Sequence, residues 1–465
     1  MKHIFREYDI RGIADKDLTN EVVFTLGATL GEEIITKGEN KAFIGQDARV
    51  SSPRISSILA QGLKSKGVET QILSMCPTPL LYFMCHNSPE TFKTSSGIMI
   101  TGSHNPSEYN GFKTIIAKET VHGEFIQKIY KEVIKNIEKA PAVLEVQNHE
   151  LFDYEDLYLK FLKSNIKLSK KLKVVVDAGN GAGCFLGPKA YKAIGCEVIE
   201  LFCTPDGSFP NHHPDPTIPK NLIDLQKKVL ETKADLGIAY DGDADRIGAV
   251  SAKGEILYGD QLLLYLAKGL LAEEPGATII SEVKSSQILY DKLKEWGAKP
   301  IMWKTGHSLI KAQMKETDAL LAGEMSGHMF FAHRFFGFDD AVYSGARLIE
   351  YLSNDPGNLD TFLGSLPKTI NTPEMRIDCD ESIKFNIVNK FSEIAQNKFG
   401  DLVNSIDGSR INIHNGWGLV RASNTQPVLV MRFESNSEEN LKKIMDDFSV
   451  ILNEVSPDLK IPDFV

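Results

Sequence analysis

Three aspartates stand at alternate positions in Asp241-Gly-Asp-Ala-Asp-Arg, directly after the apolar run Leu236-Gly-Ile-Ala-Tyr. Carboxylates at i, i+2 and i+4 of a loop can converge on one hard cation, and like charges that close need such a neutraliser. An EF-hand calcium loop does not fit. Its sixth position would be Arg246 instead of Gly, and its twelfth Ala252 instead of Glu. With few protein ligands in view, Asp241, Asp243 and Asp245 suit Mg²⁺, which usually shares its sphere with phosphate oxygens. A solvated acidic turn is the competing reading.

Other clusters carry weaker signals. Thr101-Gly-Ser-His-Asn-Pro puts a hydroxyl beside an imidazole, so Ser103 could be a nucleophile activated by His104, or a phosphate carrier. Asn105 breaks a Gly-x-Ser-x-Gly elbow. Taken alone, this loop reads better as a plain turn. Gly323-Glu-Met-Ser-Gly-His offers a carboxylate, a hydroxyl and an imidazole that could bind sugar hydroxyls. Arg421-Ala-Ser-Asn-Thr-Gln-Pro offers a guanidinium with short donors, a set that suits a phosphate dianion. In Asp177-Ala-Gly-Asn-Gly-Ala-Gly, Cys184 replaces the third glycine of a dinucleotide fingerprint, which leaves a tight turn or an anion nest. His212-His213 has no third ligand nearby, and a structural role is expected.

The elements that must hold these loops follow a pattern. Short apolar runs end in polar, Gly-containing loops, and helix-like stretches follow. Examples are Lys41-Ala-Phe-Ile, Gly97-Ile-Met-Ile, Lys173-Val-Val-Val, Leu236-Gly-Ile-Ala-Tyr and Thr278-Ile-Ile. Such succession predicts α/β units with mixed, mainly parallel sheets and ligands beyond the strands' carboxyl ends. Ser51 and Ser52 before Pro53 are candidate N-caps. Lys131 to Glu155 reads as a helix plus linker. Cys203 to Pro219, with five of the twenty prolines, reads as an ordered surface loop. Residues 353–374 read as a linker. Beyond it, a helix-like stretch from Glu381 to Phe399 and strands around the Asn415-Gly turn predict a small antiparallel α+β domain.

The chain has 465 residues, with 52 lysines and arginines against 62 aspartates and glutamates, hence a net charge of −10. That balance argues against a nucleic-acid backbone as partner. The charged N-terminus offers no signal-peptide core, and the strongest apolar stretch, around Leu262 to Ala272, holds Lys268 and is too short to span a bilayer. Cys76, Cys85, Cys184, Cys196, Cys203 and Cys379 form no Cys-x-x-Cys pair, as expected of reduced thiols in a cytoplasmic protein.

Taken together, Phe5-Arg-Glu-Tyr-Asp-Ile-Arg-Gly, Thr101-Gly-Ser-His-Asn-Pro, Asp241-Gly-Asp-Ala-Asp-Arg, Gly323-Glu-Met-Ser-Gly-His and Arg421-Ala-Ser-Asn-Thr resemble, in order, the signature loops of the α-D-phosphohexomutase family. The likeness runs from residue 5 to about 435 and is greatest to the bacterial phosphomannomutase/phosphoglucomutase branch. An amino-sugar mutase would more typically show Gln in place of Met325. Gln426 departs from the Thr or Glu common there.

The resemblance implies three related α/β domains (1–150, 151–252 and 253–367) and a smaller α+β domain (368–465) around a central cleft. It implies an intramolecular phosphotransferase that interconverts hexose 1-phosphate and hexose 6-phosphate, of mannose, glucose or both. Hexose 1,6-bisphosphate would be the intermediate and activator. Ser103 would be the phosphoserine and, with Asp241, Asp243 and Asp245, would hold Mg²⁺. Arg11, His104, Lys113 and Arg246 would surround the transferring phosphoryl group. Glu324 and Ser326 would bind sugar hydroxyls, with His307 and His328 beside them. Arg421, Ser423, Asn424 and Thr425 would clasp the other phosphate, and Tyr8 and Lys284 would line the cleft. The general base stays open among His104, Lys113 and His328. A monomer is expected, with a dimer as the alternative, and neither nucleic acid nor membrane as partner. The rival from another class is a catalytically silent sugar-phosphate-binding or regulatory protein on the same fold.

Overall fold

The computed structural model describes residues 1–424 and 426–462. They divide into two compact units, residues 1–269 with 320–363 and residues 270–319 with 364–465.

The first unit is built on two mixed sheets. In one, Ile10–Ile13, Tyr109–Ile116, Gly97–Ile100, Lys41–Gln46, Glu69–Met75 and Leu151–Phe152 follow in that order, and Glu119–Thr120 adds to Tyr109–Ile116. Lys41–Gln46 pairs in parallel with Gly97–Ile100 and Glu69–Met75, while Tyr109–Ile116 runs antiparallel to its neighbours. The other sheet runs Ile256–Leu257, Ile247–Ser251, Leu236–Tyr240, Lys173–Asp177, Glu197–Leu201. Its central strands are buried along their length, which is why they read as continuous apolar runs. A short antiparallel pair, Leu321–Gly323 with Met329–Phe331, completes the strands of this unit.

Several expectations need correction. The loops at 101 and 241 do not lead into helices, and neither does the loop at 324, for which no following element was expected. Each joins a strand to an antiparallel partner: Gly97–Ile100 to Tyr109–Ile116, Leu236–Tyr240 to Ile247–Ser251, and Leu321–Gly323 to Met329–Phe331. The helix Ser52–Lys64 starts at Ser51 with Pro53 in its first turn, but the Ser51 side chain makes no cap bond. Ser51 Oγ instead accepts from Asn110 Nδ2, and Ser52 Oγ donates to Asp47 Oδ1. The stretch 131–155 holds the end of helix Glu124–Asn136 as expected, but also the edge strand Leu151–Phe152. Within 353–374 a helix, Leu359–Ser365, buries Leu359 and Phe362, the latter edge-on to Tyr265 at 5.1 Å. Burial of that aromatic side chain outweighs the flanking prolines.

In the second unit, Thr278–Glu282 and Lys299–Trp303 pair in parallel. Residues from Ile370 onward form a six-stranded antiparallel sheet covered by helices Lys384–Phe399 and Glu438–Val455. Phe391, Phe433 and Phe448 meet in its core. His414 and Asn415 both have positive φ, at 51° and 52°, as a tight two-residue hairpin turn requires. Cys203 is half-buried, the other five cysteines are buried, and all six are free thiols. Among the described residues, no helix is long and apolar enough to cross a membrane.

Candidate active site

Ser103 sits in the loop beyond the buried strand Gly97–Ile100. Its φ is 48°, a left-handed conformation that a non-glycine residue holds only when its surroundings enforce it. The enforcing groups are identifiable. Thr101 Oγ1 accepts from Ser103 N at 2.7 Å, and Asp47 Oδ2 accepts from Gly102 N at 3.1 Å. The buried Arg49 guanidinium donates to the carbonyls of Ser103 (2.8 Å), Asn105 (2.6 Å), Pro106 (2.5 Å) and Tyr109 (2.9 Å). Asp47 neutralises it through Nε at 3.1 Å. A Cβ on Gly102 would run into that guanidinium. The hydroxyl thus held donates to Asp241 Oδ2 at 2.8 Å and lies 3.2 Å from His104 Nδ1.

Asp241, Asp243 and Asp245 are fully buried, and one oxygen from each lies within 4.8 Å of the others. The amides of Asp245 and Arg246 donate to Asp241 Oδ1 at 3.2 and 3.1 Å. Lys113 Nζ donates to Asp243 Oδ2 at 2.6 Å and also to Asp245 Oδ2, and Thr78 Oγ1 donates to Asp243 Oδ2 as well. Asp243 Oδ1 is buried without a hydrogen-bond partner, and Asp245 Oδ1 faces the His328 imidazole at 3.3 Å. Burial, with Asp245 and Asp243 beside it, pushes the Asp241 carboxyl well above the usual range. Burial alone would raise Asp245 too, but Lys113 and His328 hold it well below. Converging oxygen donors, one of them (Asp243 Oδ1) buried and unsatisfied, fit a hard divalent cation such as Mg²⁺.

Arg246 and His328 form a backbone bridge, so the hairpin loops at 241 and 324 lie side by side. Arg246 Nε is 3.4 Å from His328 Nε2. The same imidazole meets Asp245 Oδ1 at 3.3 Å, Glu324 Oε2 at 3.1 Å and Ser326 Oγ at 3.0 Å, with Asp339 Oδ2 at 3.9 Å. Burial would lower the His328 pKa, but Asp245 outweighs it and lifts it to about 9. In the cluster of Asp245, His328 and Asp339 the histidine thus supplies the positive partner of Asp245. Burial, then Arg246 and Arg11, push His104 well down, so it is neutral. Arg11, on the strand Ile10–Ile13, donates to Asn105 Oδ1 at 2.9 Å and pairs with Asp9 at 2.5 Å. Tyr8 is half-buried in the bend before that strand.

In the second unit, Lys284 Nζ lies 3.2 Å from Glu374 and 3.6 Å from Glu282. Lys284, with Arg376, draws the Glu374 carboxyl down to about 2. Half-buried His307 opens the helix His307–Thr317. Arg421 is the penultimate residue of the strand Gly416–Ala422, and its Nε donates to Asp407 Oδ2 at 2.9 Å. Buried Ser423 accepts from Gln426 N at 3.2 Å, and Asn424 follows half-buried. Thr425 lies outside the described residues. The structure thus gathers Ser103, His104, Lys113, Arg11, Arg246, Glu324, Ser326, His328 and the three aspartates in the first unit. Lys284, His307, Arg421, Ser423 and Asn424 belong to the second.

Asp47, Arg49 and Thr78 were not anticipated. Asp47 and Arg49 follow a strand end, a position where ligand-side residues collect, and that was the available signal. Thr78 left none. His212 takes the structural role expected of it, with Nε2 3.1 Å from buried Asp177. The glycine turn after Asp177 packs under the aspartate loop, where Ala182 N donates to Gly242 O at 2.9 Å.

Known proteins resemble this chain along its length. Residues 2–140, 156–254 and 258–370 match phosphoglucomutase/phosphomannomutase alpha/beta/alpha domains I, II and III, and residues 374–449 match the C-terminal domain of the same family. The chain therefore belongs to the α-D-phosphohexomutase family, with three α/β domains and a smaller α+β domain. It is 45% identical to a phosphomannomutase/phosphoglucomutase of Pseudomonas putida, over 99% of this chain and 97% of that one. It is 41% identical to a phosphoglucomutase of Neisseria meningitidis, over 99% of both chains. A crystal structure of a phosphoglucomutase/phosphomannomutase family protein from Burkholderia thailandensis superposes over 100% of both chains, with a TM-score of 0.91 and 40% identity. The chain is an enzyme with phosphohexomutase function.

Proposed function

We propose that the enzyme interconverts the 1- and 6-phosphates of glucose and mannose, with Ser103 as phosphoryl carrier and hexose 1,6-bisphosphate as intermediate and activator. The observation that carries this reading is the hydrogen bond from Ser103 Oγ to Asp241 Oδ2, 2.8 Å long, at the edge of a buried carboxylate triplet. Asp241, Asp243, Asp245 and the oxygens of a phosphorylated Ser103 would hold Mg²⁺, which when bound neutralises phosphoryl charge.

In the forward transfer the bond between Ser103 Oγ and phosphorus breaks, and a bond from the sugar hydroxyl oxygen to phosphorus forms. The hydroxyl's proton replaces phosphorus on Oγ, with no net proton change. His104 is assigned the exchange at Ser103, because its Nδ1 stands 3.2 Å from Oγ while Lys113 and His328 face carboxylates. Arg246, Lys113 and Arg11 offset the charge of the transferring group. The bisphosphate then turns end for end and returns its other phosphate to Ser103. Glu324, Ser326 and His328 would hold the sugar hydroxyls in both orientations. Arg421, Ser423, Asn424 and Thr425 would clasp whichever phosphate is not reacting, with Tyr8, Lys284 and His307 as further substrate contacts.

The assignment extends to four domains at 1–150, 151–252, 253–367 and 368–465, and to a cytoplasmic monomer acting on small phosphosugars without nucleic-acid or membrane partners. The test compares kcat/KM for glucose, mannose and glucosamine 1-phosphates, with Mg²⁺ and a trace of bisphosphate. Turnover is expected for the first two. Ser103→Ala is expected to cut kcat by roughly 10⁴-fold or more. A fully active Ser103→Ala enzyme would overturn the mechanism.

A further inference from the structure

Asp407 belongs to none of the motifs, yet one of its carboxylate oxygens serves two places at once. Oδ2 accepts from Arg421 Nε at 2.9 Å and from the backbone N–H of Thr305 at 3.0 Å. Thr305 lies two residues before His307, and its hydroxyl donates to Glu282 Oε2 at 2.5 Å. Glu282 in turn lies 3.6 Å from Lys284 Nζ. The candidate phosphate clasp, the segment that delivers His307, and Lys284 are thus joined by one chain of polar contacts within the second unit. The far end of the Arg421 loop is tied into it as well. Gln426 Oε1 accepts from Arg376 at 2.9 Å, Arg376 pairs with Glu374 at 2.9 Å, and Glu374 with Lys284 at 3.2 Å.

Local backbone geometry explains how Asp407 reaches this position. Gly408 has φ +81°, and a Cβ there would strike the Val420 carbonyl and Arg421 Cβ. Only glycine lets the chain pass that close to the strand Gly416–Ala422 before pairing begins at Ser409 with Val420. Ile406, on the other side, packs against the cluster of Val283, Trp417 and Leu419, so both neighbours of Asp407 are pinned.

We propose that Asp407 is a positioning residue, which fixes the Arg421 guanidinium and the approach to His307 as one preassembled binding surface. The inference rests on the reading of Arg421 as a phosphate clasp. A contact with the non-reacting phosphate is the same in ground and transition states, so loosening it raises KM more than it lowers kcat.

The experiment measures kcat and KM for glucose 1-phosphate in Asp407→Ala, Asp407→Asn, Arg421→Ala and the Asp407→Ala/Arg421→Ala double variant, with thermal melts of each. Losing a charge-assisted hydrogen bond predicts a KM roughly 10- to 100-fold higher in Asp407→Ala, with kcat within about 3-fold. Asp407→Asn keeps an acceptor oxygen and is expected to recover most of that loss. The double variant is expected to lose less than the product of the single losses. An unchanged KM in Asp407→Ala, or losses that multiply, overturns the positioning role alone if Arg421→Ala is still impaired. Should Asp407→Ala fail to fold, a KM in Asp407→Asn as poor as in Arg421→Ala overturns it, and one near wild type supports it. An unchanged KM in Arg421→Ala overturns the clasp reading and this inference with it.

Discussion

Lys113 stands where two buried carboxylates would otherwise repel each other, 2.6 Å from Asp243 and in contact with Asp245. Removing one partner of a buried ionic cluster costs about 3–5 kcal/mol, because the remaining charge has no solvent to turn to. Lys113→Met is therefore expected to lower the melting temperature without metal. Millimolar Mg²⁺ should raise it by more in the variant than in the wild type, since a divalent cation restores the missing charge. Equal metal-induced shifts in both proteins would show that Lys113 and the cation do not compete for the same carboxylates. At this scale the sequence was informative about side chains that carry their own signature, above all Asp241, Asp243 and Asp245 at alternate positions. It was silent about Arg49. That residue acts on backbone carbonyls more than fifty positions away, and a carbonyl leaves no mark in residue types. Asp407 escaped notice for a similar reason, because one of its two partners is an amide.

Three hairpins carry the chemical loops, two of them (at 101 and 241) where strand-to-helix turns were expected. The expectation of helices failed for a physical reason. Tyr109–Ile116 is buried at every position but its first and Ile247–Ser251 throughout, so neither shows the polar alternation of a half-exposed strand. Where a turn signal was strong, as at Asn415-Gly, the hairpin was legible. Hairpin loops also explain the demand for close approach. Gly242 lies so near the Ser103 carbonyl that a Cβ there would overlap it. Gly242→Ala should therefore push the Ser103 and Asp241 loops apart while leaving both strands intact. A displacement of about 1 Å can cost roughly 10²-fold in rate, so kcat is expected to fall by about that factor with little change in melting temperature. A kcat within about 3-fold of wild type would mean that the two loops need not touch.

An aromatic cluster links segments of the first unit that are far apart in sequence. His86 stacks on Phe336 at 5.0 Å, near Phe83, Phe161 and Phe338. Burial, with Lys118 adding to it, lowers the His86 pKa from 6.5 to about 4. The folded state therefore binds fewer protons than the unfolded state between those values. Its contribution to stability is full above pH 6.5 and is lost as pH falls through that window toward 4. His86→Phe should flatten the fall in melting temperature between pH 6.5 and 4.5, and an unaltered slope would clear His86 of that role. Net charge was the least informative feature of the sequence. A chain at −10 argued against anionic polymers, but could not show that Arg11, Lys113 and Arg246 gather around one serine. The proposed mechanism turns on that serine. The most direct measurement is intact mass with peptide mapping after incubation with hexose 1,6-bisphosphate and Mg²⁺. The account predicts one phosphate, located on Ser103, which is still there after turnover of hexose 1-phosphate, because each cycle returns a phosphate to the serine. A protein that stays unphosphorylated at Ser103 while turning over at full rate would contradict it.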